Sequence, residues 1–120
     1  MPLIEINILP RDDIDRAAIS RALTAAVATA IPCQTDGVWA TWRTIDGPFA
    51  RGDEVSAAQT MAAFGPIVHV YHHRAPDQVD RAVEAIETVL ADALSIDRSQ
   101  IFVTTQPVAM NDPAFGSDDA

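Results

Sequence analysis

The second residue of the chain is a proline, and a proline at this position can become a catalytic amine. Because methionine aminopeptidases remove the initiator residue when a small residue follows it, Pro2 is expected to carry the amino terminus of the mature protein. An ordinary α-amino group has a pKa of about 7.7–8, and nearby positive charge or an apolar setting lowers it. The neutral secondary amine can then take a proton from carbon near pH 7. The alternative is that Pro2 only begins a strand.

Three histidines and a tyrosine lie close together further along the chain and raise the question of a metal site. In an extended segment His69, Tyr71 and His73 share one face, and His72 lies on the other. Neither a cysteine nor a carboxylate accompanies the histidines in register, so the metal-binding signal is weak. Packing or hydrogen bonding between subunits is the favoured interpretation, and no metal is expected.

The composition excludes several other kinds of chemistry. The 120 residues include 17 acidic and 8 basic side chains, and the net charge of −9 argues against nucleic acid or an anionic membrane as partner. Every basic residue is an arginine, which excludes a lysine Schiff base and a phosphate-loop lysine. The single cysteine, Cys33, is expected to be structural. The apolar segments are too short to cross a membrane, and Leu3–Leu9 does not resemble a signal peptide, so the expected compartment is the cytoplasm.

Periodic apolar segments predict the elements that position these residues. Alternating β-branched or aromatic residues predict strands over Leu3–Leu9, Val38–Ile45, Ile67–His73 and Ile101–Thr105. Apolar residues three and four apart predict helices from a cap at Asp12 or Asp13 to Ile31 and from Pro76 to Leu94. Residues 46–65 are predicted to form a long loop with a short helix around Ala57–Phe64, and residues 107–120 a tail.

The order of the elements is βαβ–βαβ, and the two halves resemble each other. PLIEIN at residues 2–7 aligns with PIVHVY at residues 66–71, an offset of 64 residues. Arg11, before the first helix, corresponds to Arg74, before the second. We therefore predict one α+β domain over residues 1–120, with pseudo-repeats at about 2–45 and 66–106. Its four-stranded sheet carries two helices on one face. The other face, with Leu3, Ile67 and Tyr71, is left uncovered, and self-association is the simplest cover.

The beginning of the chain resembles the tautomerase superfamily, whose members include 4-oxalocrotonate tautomerase, macrophage migration inhibitory factor and malonate semialdehyde decarboxylase. The resemblance rests first on Pro2–Leu9, then Arg11 and the start of a helix. It is closest to malonate semialdehyde decarboxylase and extends over Ile31-Pro32, His73-Arg74, the second helix, Ile96–Val103 and Asn111–Gly116. The segment Asn111–Gly116 resembles an Asp-Trp-Ser-Phe-Gly segment of the malonate semialdehyde decarboxylase group. The resemblance implies a homotrimer that needs no cofactor, with active sites near subunit boundaries around each N-terminal proline.

The resemblance also implies a role for Arg74, which follows the third predicted strand where related enzymes carry a substrate-binding arginine. A guanidinium there can hold a carboxylate through two hydrogen bonds and stabilise an adjacent enolate. The alternative is a surface arginine paired with Asp77. Pro76 and Asp77 stand where those relatives have a second arginine, and Val27 stands near the helical histidine of the cis-3-chloroacrylic acid dehalogenases. Efficient dehalogenation is therefore not expected.

Three further residues are candidates for substrate binding. Arg11 lies one residue before the position of a carboxylate-binding arginine in 4-oxalocrotonate tautomerase, although it could equally solvate the start of the first helix. Asp36 lies close to an acidic residue of the decarboxylase, and its alternative is a turn formed with Gly37. Phe115 could form a pocket wall or pack within the tail.

The resemblance thus implies a tautomerase, a keto–enol isomerase that acts on a small 2-oxo or 2-hydroxy-dienoate carboxylic acid. Pro2 is the general base, and Arg74 is the second catalytic residue. One alternative is a decarboxylase or hydratase of a small 3-oxo acid, with Pro2 as an acid and Asp36 positioning water or substrate. The other is a ferredoxin-like module that binds a small ligand without chemistry.

Overall fold

A computed structural model of the protein describes residues 2–45, 49–52, 54–56 and 65–108. Its helices and strands are β1 (Leu3–Ile8), α1 (Arg16–Ala30), β2 (Trp39–Thr44), β3 (Phe49–Arg51), β4 (Glu54–Ser56), β5 (Ile67–His72), α2 (Pro76–Leu94) and β6 (Phe102–Pro107). Single 3-10 turns at Thr35–Gly37 and Arg98–Gln100 precede β2 and β6.

The main sheet has the order β2-β1-β5-β6. Strand β1 is parallel to β2 and antiparallel to β5, and β5 is parallel to β6. The same hydrogen bond begins the parallel pair in each half: the N–H of Trp39 donates to the carbonyl of Pro2 at 3.0 Å, and the N–H of Phe102 donates to that of Pro66 at 3.1 Å. The predicted α+β architecture, a four-stranded sheet with two helices, is confirmed, and the structure shows that this sheet is mixed.

The core lies between the sheet and the two helices, which pack against each other. Alternate residues of the central strands point into it, among them Ile4, Ile6 and Val68, each 0 % exposed. From the helices, Leu23 and Ile86 are also 0 % exposed. Burial of each such aliphatic side chain contributes about 1.5–3 kcal/mol, and this packing holds the strand ends at fixed positions.

Helix α1 begins later than the sequence pattern predicts. Its N-cap is Asp15, whose carboxylate accepts from the N–H of Ala18 at 3.1 Å. The prediction of Asp12 or Asp13 as the cap is wrong. The carboxylate of Asp13 is bound by the Arg11 guanidinium instead, so it does not serve the helix.

The region predicted as a long loop contains a small hairpin. Strands β3 and β4 pair in antiparallel fashion, and Gly52 lies between them with φ of 62°. Glycine adopts this left-handed conformation without steric cost, which permits the tight reversal of the chain. The predicted helix over Ala57–Phe64 lies outside the described residues.

The sheet face turned away from the helices carries a mixture of apolar and polar side chains. Leu3, Ile67 and Tyr71 lie there and are partly exposed, as predicted. At the edges of this face Trp39 is 47 % and Phe102 is 63 % exposed. Among the described residues, no helix covers this face. Within the same part of the chain, neither helix is long and apolar enough to cross a membrane.

Candidate functional site

The N-terminal end of β1 is enclosed on both sides by neighbouring strands. Pro2 is fully buried, and its carbonyl is held by the N–H of Trp39 in β2. On the other side β1 pairs with β5 so that Leu3 lies opposite Tyr71. The antiparallel register therefore carries Pro2 to the position opposite His72.

A small cavity of about 10 Å³, the room of a single water molecule, lies beside Pro2. It lies where the end of β5 and the first turns of α2 meet the end of α1. The residues that line it are Pro2, Ile31, Val70, His72, Arg74, Gln78, Val79 and Ala82. Four of the eight are aliphatic, so the polar groups of the cavity act in a largely apolar setting. The structure brings Pro2 and Arg74, the two predicted catalytic residues, to one cavity.

The guanidinium of Arg74 has two nitrogens for which the described residues supply no hydrogen-bond partner. Its Nε and Nη2 atoms are buried, and neither has a hydrogen-bond partner among the described residues. Leaving a buried donor unsatisfied costs about 1–3 kcal/mol, and more for a charged group. The arrangement offers N–H groups from two nitrogen atoms to an acceptor that enters the cavity, and a carboxylate matches the guanidinium best.

His72 is a second ionisable residue of this cavity and is only 7 % exposed. Burial, together with the positive charges of His73 and the amino terminus, lowers the pKa of His72. Its Nδ1 accepts a hydrogen bond from the backbone N–H of Arg74 at 3.2 Å. Acceptance at Nδ1 requires the neutral ring with its proton on Nε2. His72 thus fixes the backbone of Arg74 and presents an N–H donor of its own.

Arg11 lies at the opposite end of β1 from Pro2. The six residues of β1 span about 20 Å, so the structure does not bring Arg11 to the cavity of its own chain. Its Nε and Nη2 donate to the carboxylate of Asp13 at 2.9 and 2.8 Å, and its Nη1 donates to the carbonyl of Leu94 at 3.0 Å. The hydrogen bond raises the pKa of Arg11 and lowers that of Asp13. A substrate-binding role for Arg11 stays a prediction.

Of the two remaining predicted substrate-binding residues, the structure describes only Asp36, and Asp36 does not contact the cavity. Asp36 lies in the 3-10 turn before β2, at the same end of the sheet as Pro2, with an exposed side chain that does not line the cavity. Phe115 lies outside the described residues. The histidines of the outer face, which raised the question of a metal site, are also elsewhere: His69 Nδ1 shares a hydrogen bond with the hydroxyl of Thr104.

Sequence reasoning did not identify His72 or Gln78 as site residues. The alternation of β5 already placed His72 on the face opposite His69, which is the face of Val70 and the core. The missing information was the pairing register between β1 and β5. Gln78 carried no signal, because a polar residue in a first helical turn is ordinary. Among the described residues, no group of three histidine, cysteine or acidic side chains is arranged to bind a metal ion.

No protein-family model matches the sequence, and no curated protein matches it either. Solved structures do match. A fused 4-OT, the F6 wild-type asymmetric trimer, has a TM-score of 0.76 at 16 % identity, over 92 % of this chain and 89 % of its own. The chain therefore has the fold of the fused 4-OT structures.

Two further structures show how varied these neighbours are. Malonate semialdehyde decarboxylase, whose structures were related to decarboxylase and hydratase activities, has a TM-score of 0.66 at 14 % identity, covering 92 % of this chain and 87 % of its own. MIF2 of Leishmania major has a TM-score of 0.69 at 17 % identity, and the match covers 90 % of this chain and 89 % of its own. Because these identities are low, the likeness establishes the fold and does not select one activity.

Proposed function

We propose that the protein is a cofactor-independent tautomerase that interconverts keto and enol forms of a small 2-oxo or 2-hydroxy-dienoate carboxylic acid. Pro2, freed of Met1, is the general base. Arg74 binds the substrate carboxylate and stabilises the enolate. The observation that carries the proposal is that Pro2 and Arg74 line one cavity, and that Nε and Nη2 of Arg74 have no hydrogen-bond partner among the described residues.

The charge and burial around Pro2 support its role as a base. Arg74 is a permanent positive charge on the same cavity, and several of the other lining residues are aliphatic. Both conditions disfavour a prolyl ammonium and favour the neutral amine. The chain contains no lysine that could replace it. The neighbouring His72 is neutral while its Nδ1 accepts from Arg74, so it adds no competing cation.

The reaction follows from this arrangement. The carboxylate of the substrate accepts hydrogen bonds from Nε and Nη2 of Arg74, and this directs the carbon next to the carbonyl toward Pro2. The nitrogen of Pro2 removes a proton from that carbon, and the electrons of the C–H bond form the enolate. The positive guanidinium stabilises the developing negative charge. The prolyl ammonium then returns its proton to oxygen or to another carbon, so the amine is regenerated without net change in atoms.

We also propose that the protein works as a homotrimer. The cavity formed by the described residues holds about one water molecule, which is less room than an oxo acid needs. The open sheet face, with Trp39 and Phe102 exposed at its edges, supports self-association, and fused 4-OT neighbours form symmetric and asymmetric trimers. A subunit boundary beside Pro2 would complete the site. Arg11 of one subunit can contribute only to the cavity of another.

A second candidate function is the decarboxylation or hydration of a small 3-oxo acid, with a protonated Pro2. The observation that favours it is the position of Asp36, whose turn lies beside β2 at the Pro2 end of the sheet. The exposed carboxylate of Asp36 would position water or substrate. This reaction needs the prolyl ammonium, so its rate would fall with rising pH where that of the tautomerase rises.

A substrate panel distinguishes these functions. Protein shown by intact mass to lack Met1 is assayed with phenylpyruvate, 2-hydroxymuconate, malonate semialdehyde and 3-haloacrylates. Turnover of phenylpyruvate or 2-hydroxymuconate without loss of CO₂ supports the tautomerase. Release of CO₂ from malonate semialdehyde as the dominant reaction favours the decarboxylase. Binding without turnover of any of these compounds identifies a non-catalytic module and contradicts the proposal.

A further inference from the structure

The two halves of the molecule use corresponding arginines in different ways. Arg11 follows β1 and Arg74 follows β5, at an offset of 63 residues. The last residues of the two helices, Ala30 and Leu94, are 64 residues apart. Arg11 donates from Nη1 to the carbonyl of Leu94, at the end of the helix of the other half. By this correspondence, the acceptor that Arg74 would use is the carbonyl of Ala30. The next residue, Ile31, lines the same cavity as Arg74.

That carbonyl is already occupied by a third arginine. The Nε of Arg81, on α2, donates to the carbonyl of Ala30 at 3.2 Å. The same side chain lies 3.8 Å from the carboxylate of Asp77, one helical turn away. Asp77 is the first acidic residue after Arg74 in the sequence. In the other half, Arg11 binds an aspartate that follows it closely, Asp13. Arg81 therefore binds a carbonyl at a helix end and a nearby aspartate, the same two kinds of acceptor that Arg11 binds in the other half of the molecule.

We propose that Arg81 is a positioning residue that keeps Arg74 available for substrate by occupying the carbonyl of Ala30 and the carboxylate of Asp77. The inference rests on the proposed function for its kinetic consequence and on the two corresponding half-sites for its geometry. Without Arg81, the guanidinium of Arg74 binds these acceptors as Arg11 binds its own, and a substrate carboxylate has to displace them.

Kinetics of Arg81→Ala test the consequence for catalysis. KM for the carboxylate substrate should rise about tenfold, the equivalent of about 1.4 kcal/mol of competing hydrogen bonding, while kcat changes much less. Saturating substrate displaces the competing acceptors, and this explains the different effects on KM and kcat. Arg81→Lys keeps a cation one turn from Asp77 and should recover part of the loss. A fall in kcat with unchanged KM would contradict the inference.

Arg98→Ala is the matched control. Arg98 also binds the carboxylate of an α2 residue, donating to Glu87 at 2.8 Å. Unlike Ala30 and Asp77, Glu87 is not next in sequence to a residue that lines the cavity. Loss of Arg98 should leave KM unchanged. Equal increases in KM for Arg81→Ala and Arg98→Ala would reduce the effect to a general weakening of α2 and would overturn the proposal.

A crystal structure of Arg81→Ala tests the geometry without any assay of activity. Arg81 is largely exposed, with 53 % of its side chain accessible, so the variant should fold. The expected result is Arg74 within hydrogen-bond distance of the carbonyl of Ala30 or the carboxylate of Asp77. Arg74 still unpartnered at both would refute the inference. If the wild-type protein turned over none of the panel, the proposed function would fail while this structure still decided the role of Arg81.

Discussion

Replacement of Arg74 by methionine should weaken catalysis and stabilise the fold at the same time. Methionine retains a long flexible side chain but removes the charge and the two buried donors, Nε and Nη2, for which the described part of the chain offers no partner. A structural arginine would behave in the opposite way, since its loss would leave catalysis unchanged and lower the free energy of unfolding. The two measurements together therefore separate a ligand-binding role from a structural one.

The magnitudes follow from the contacts. Loss of a charge-assisted contact to the substrate carboxylate should lower kcat/KM by about 2–4 kcal/mol, roughly 30- to 900-fold. KM should rise and kcat should fall together, because one guanidinium binds the acid and stabilises the enolate. An unsatisfied buried donor costs about 1–3 kcal/mol. Because Arg74 as a whole is only partly buried, we expect a gain of about 1 kcal/mol in the free energy of unfolding, at the low end of that range.

Arg11→Met is the matched control for stability. The Arg11 side chain is 16 % exposed and makes three hydrogen bonds, to both carboxylate oxygens of Asp13 and to the carbonyl of Leu94. Because Asp13 is exposed and is solvated once Arg11 is lost, the free energy of unfolding should fall by about 1 kcal/mol, chiefly through the lost hydrogen bond to the carbonyl of Leu94. Urea unfolding at one fixed protein concentration, followed by tryptophan fluorescence, measures both variants. Equal destabilisation by the two replacements, or an unchanged kcat/KM in Arg74→Met, would refute the reasoning.

Two other predictions concern pH and assembly. Burial lowers the pKa of His72 in the folded protein below its usual 6.5, so the unfolded chain binds the proton more readily and the free energy of unfolding should fall as pH drops below about 6.5. Urea titrations from pH 7.5 to 5 should show this fall in the wild type and a smaller one in His72→Gln; identical profiles would exclude His72 as the cause. Phe102→Asp, at the edge of the open sheet face, should shift the molar mass measured by light scattering from a trimer toward a monomer. An unchanged mass in this variant, or a monomeric wild type at micromolar concentration, would show that the face is not an interface of the proposed trimer.

The architecture could be predicted because the two central strands each bury one face. Ile4, Ile6 and Ile8 alternate with polar residues in β1, and the pattern in Ile67–His72 is equally regular. The helix α2 was predicted with correct bounds because proline can occupy a first helical turn and apolar residues recur up to Leu94. The hairpin of β3 and β4 was missed because three-residue strands are too short to show periodicity. The single-domain division over residues 1–120 stays a prediction.

The candidate site was predictable only in part. Pro2 stood out by its position in the chain, and Arg74 through a resemblance to related enzymes, and their catalytic roles stay predictions. Identifying His72 as a site residue requires the register between two strands that are distant in sequence. The role proposed for Arg81 rests on its contact with Ala30, 51 positions away, and on the fact that the described residues show no corresponding contact for Arg74. Such relationships are properties of the folded chain that no local pattern contains.

The measurement that tests the central claim most directly is kcat/KM with an enolisable 2-oxo acid for two forms of one protein. One form has a free N-terminal Pro2, and the other retains Met1 or is acetylated, each verified by intact mass. The free form should show activity that rises with pH through a single ionisation below that of an ordinary α-amine, and the blocked form should show almost none. If the blocked form turned over substrate as fast as the free form, Pro2 would not be the base, and the tautomerase mechanism would be wrong for this protein.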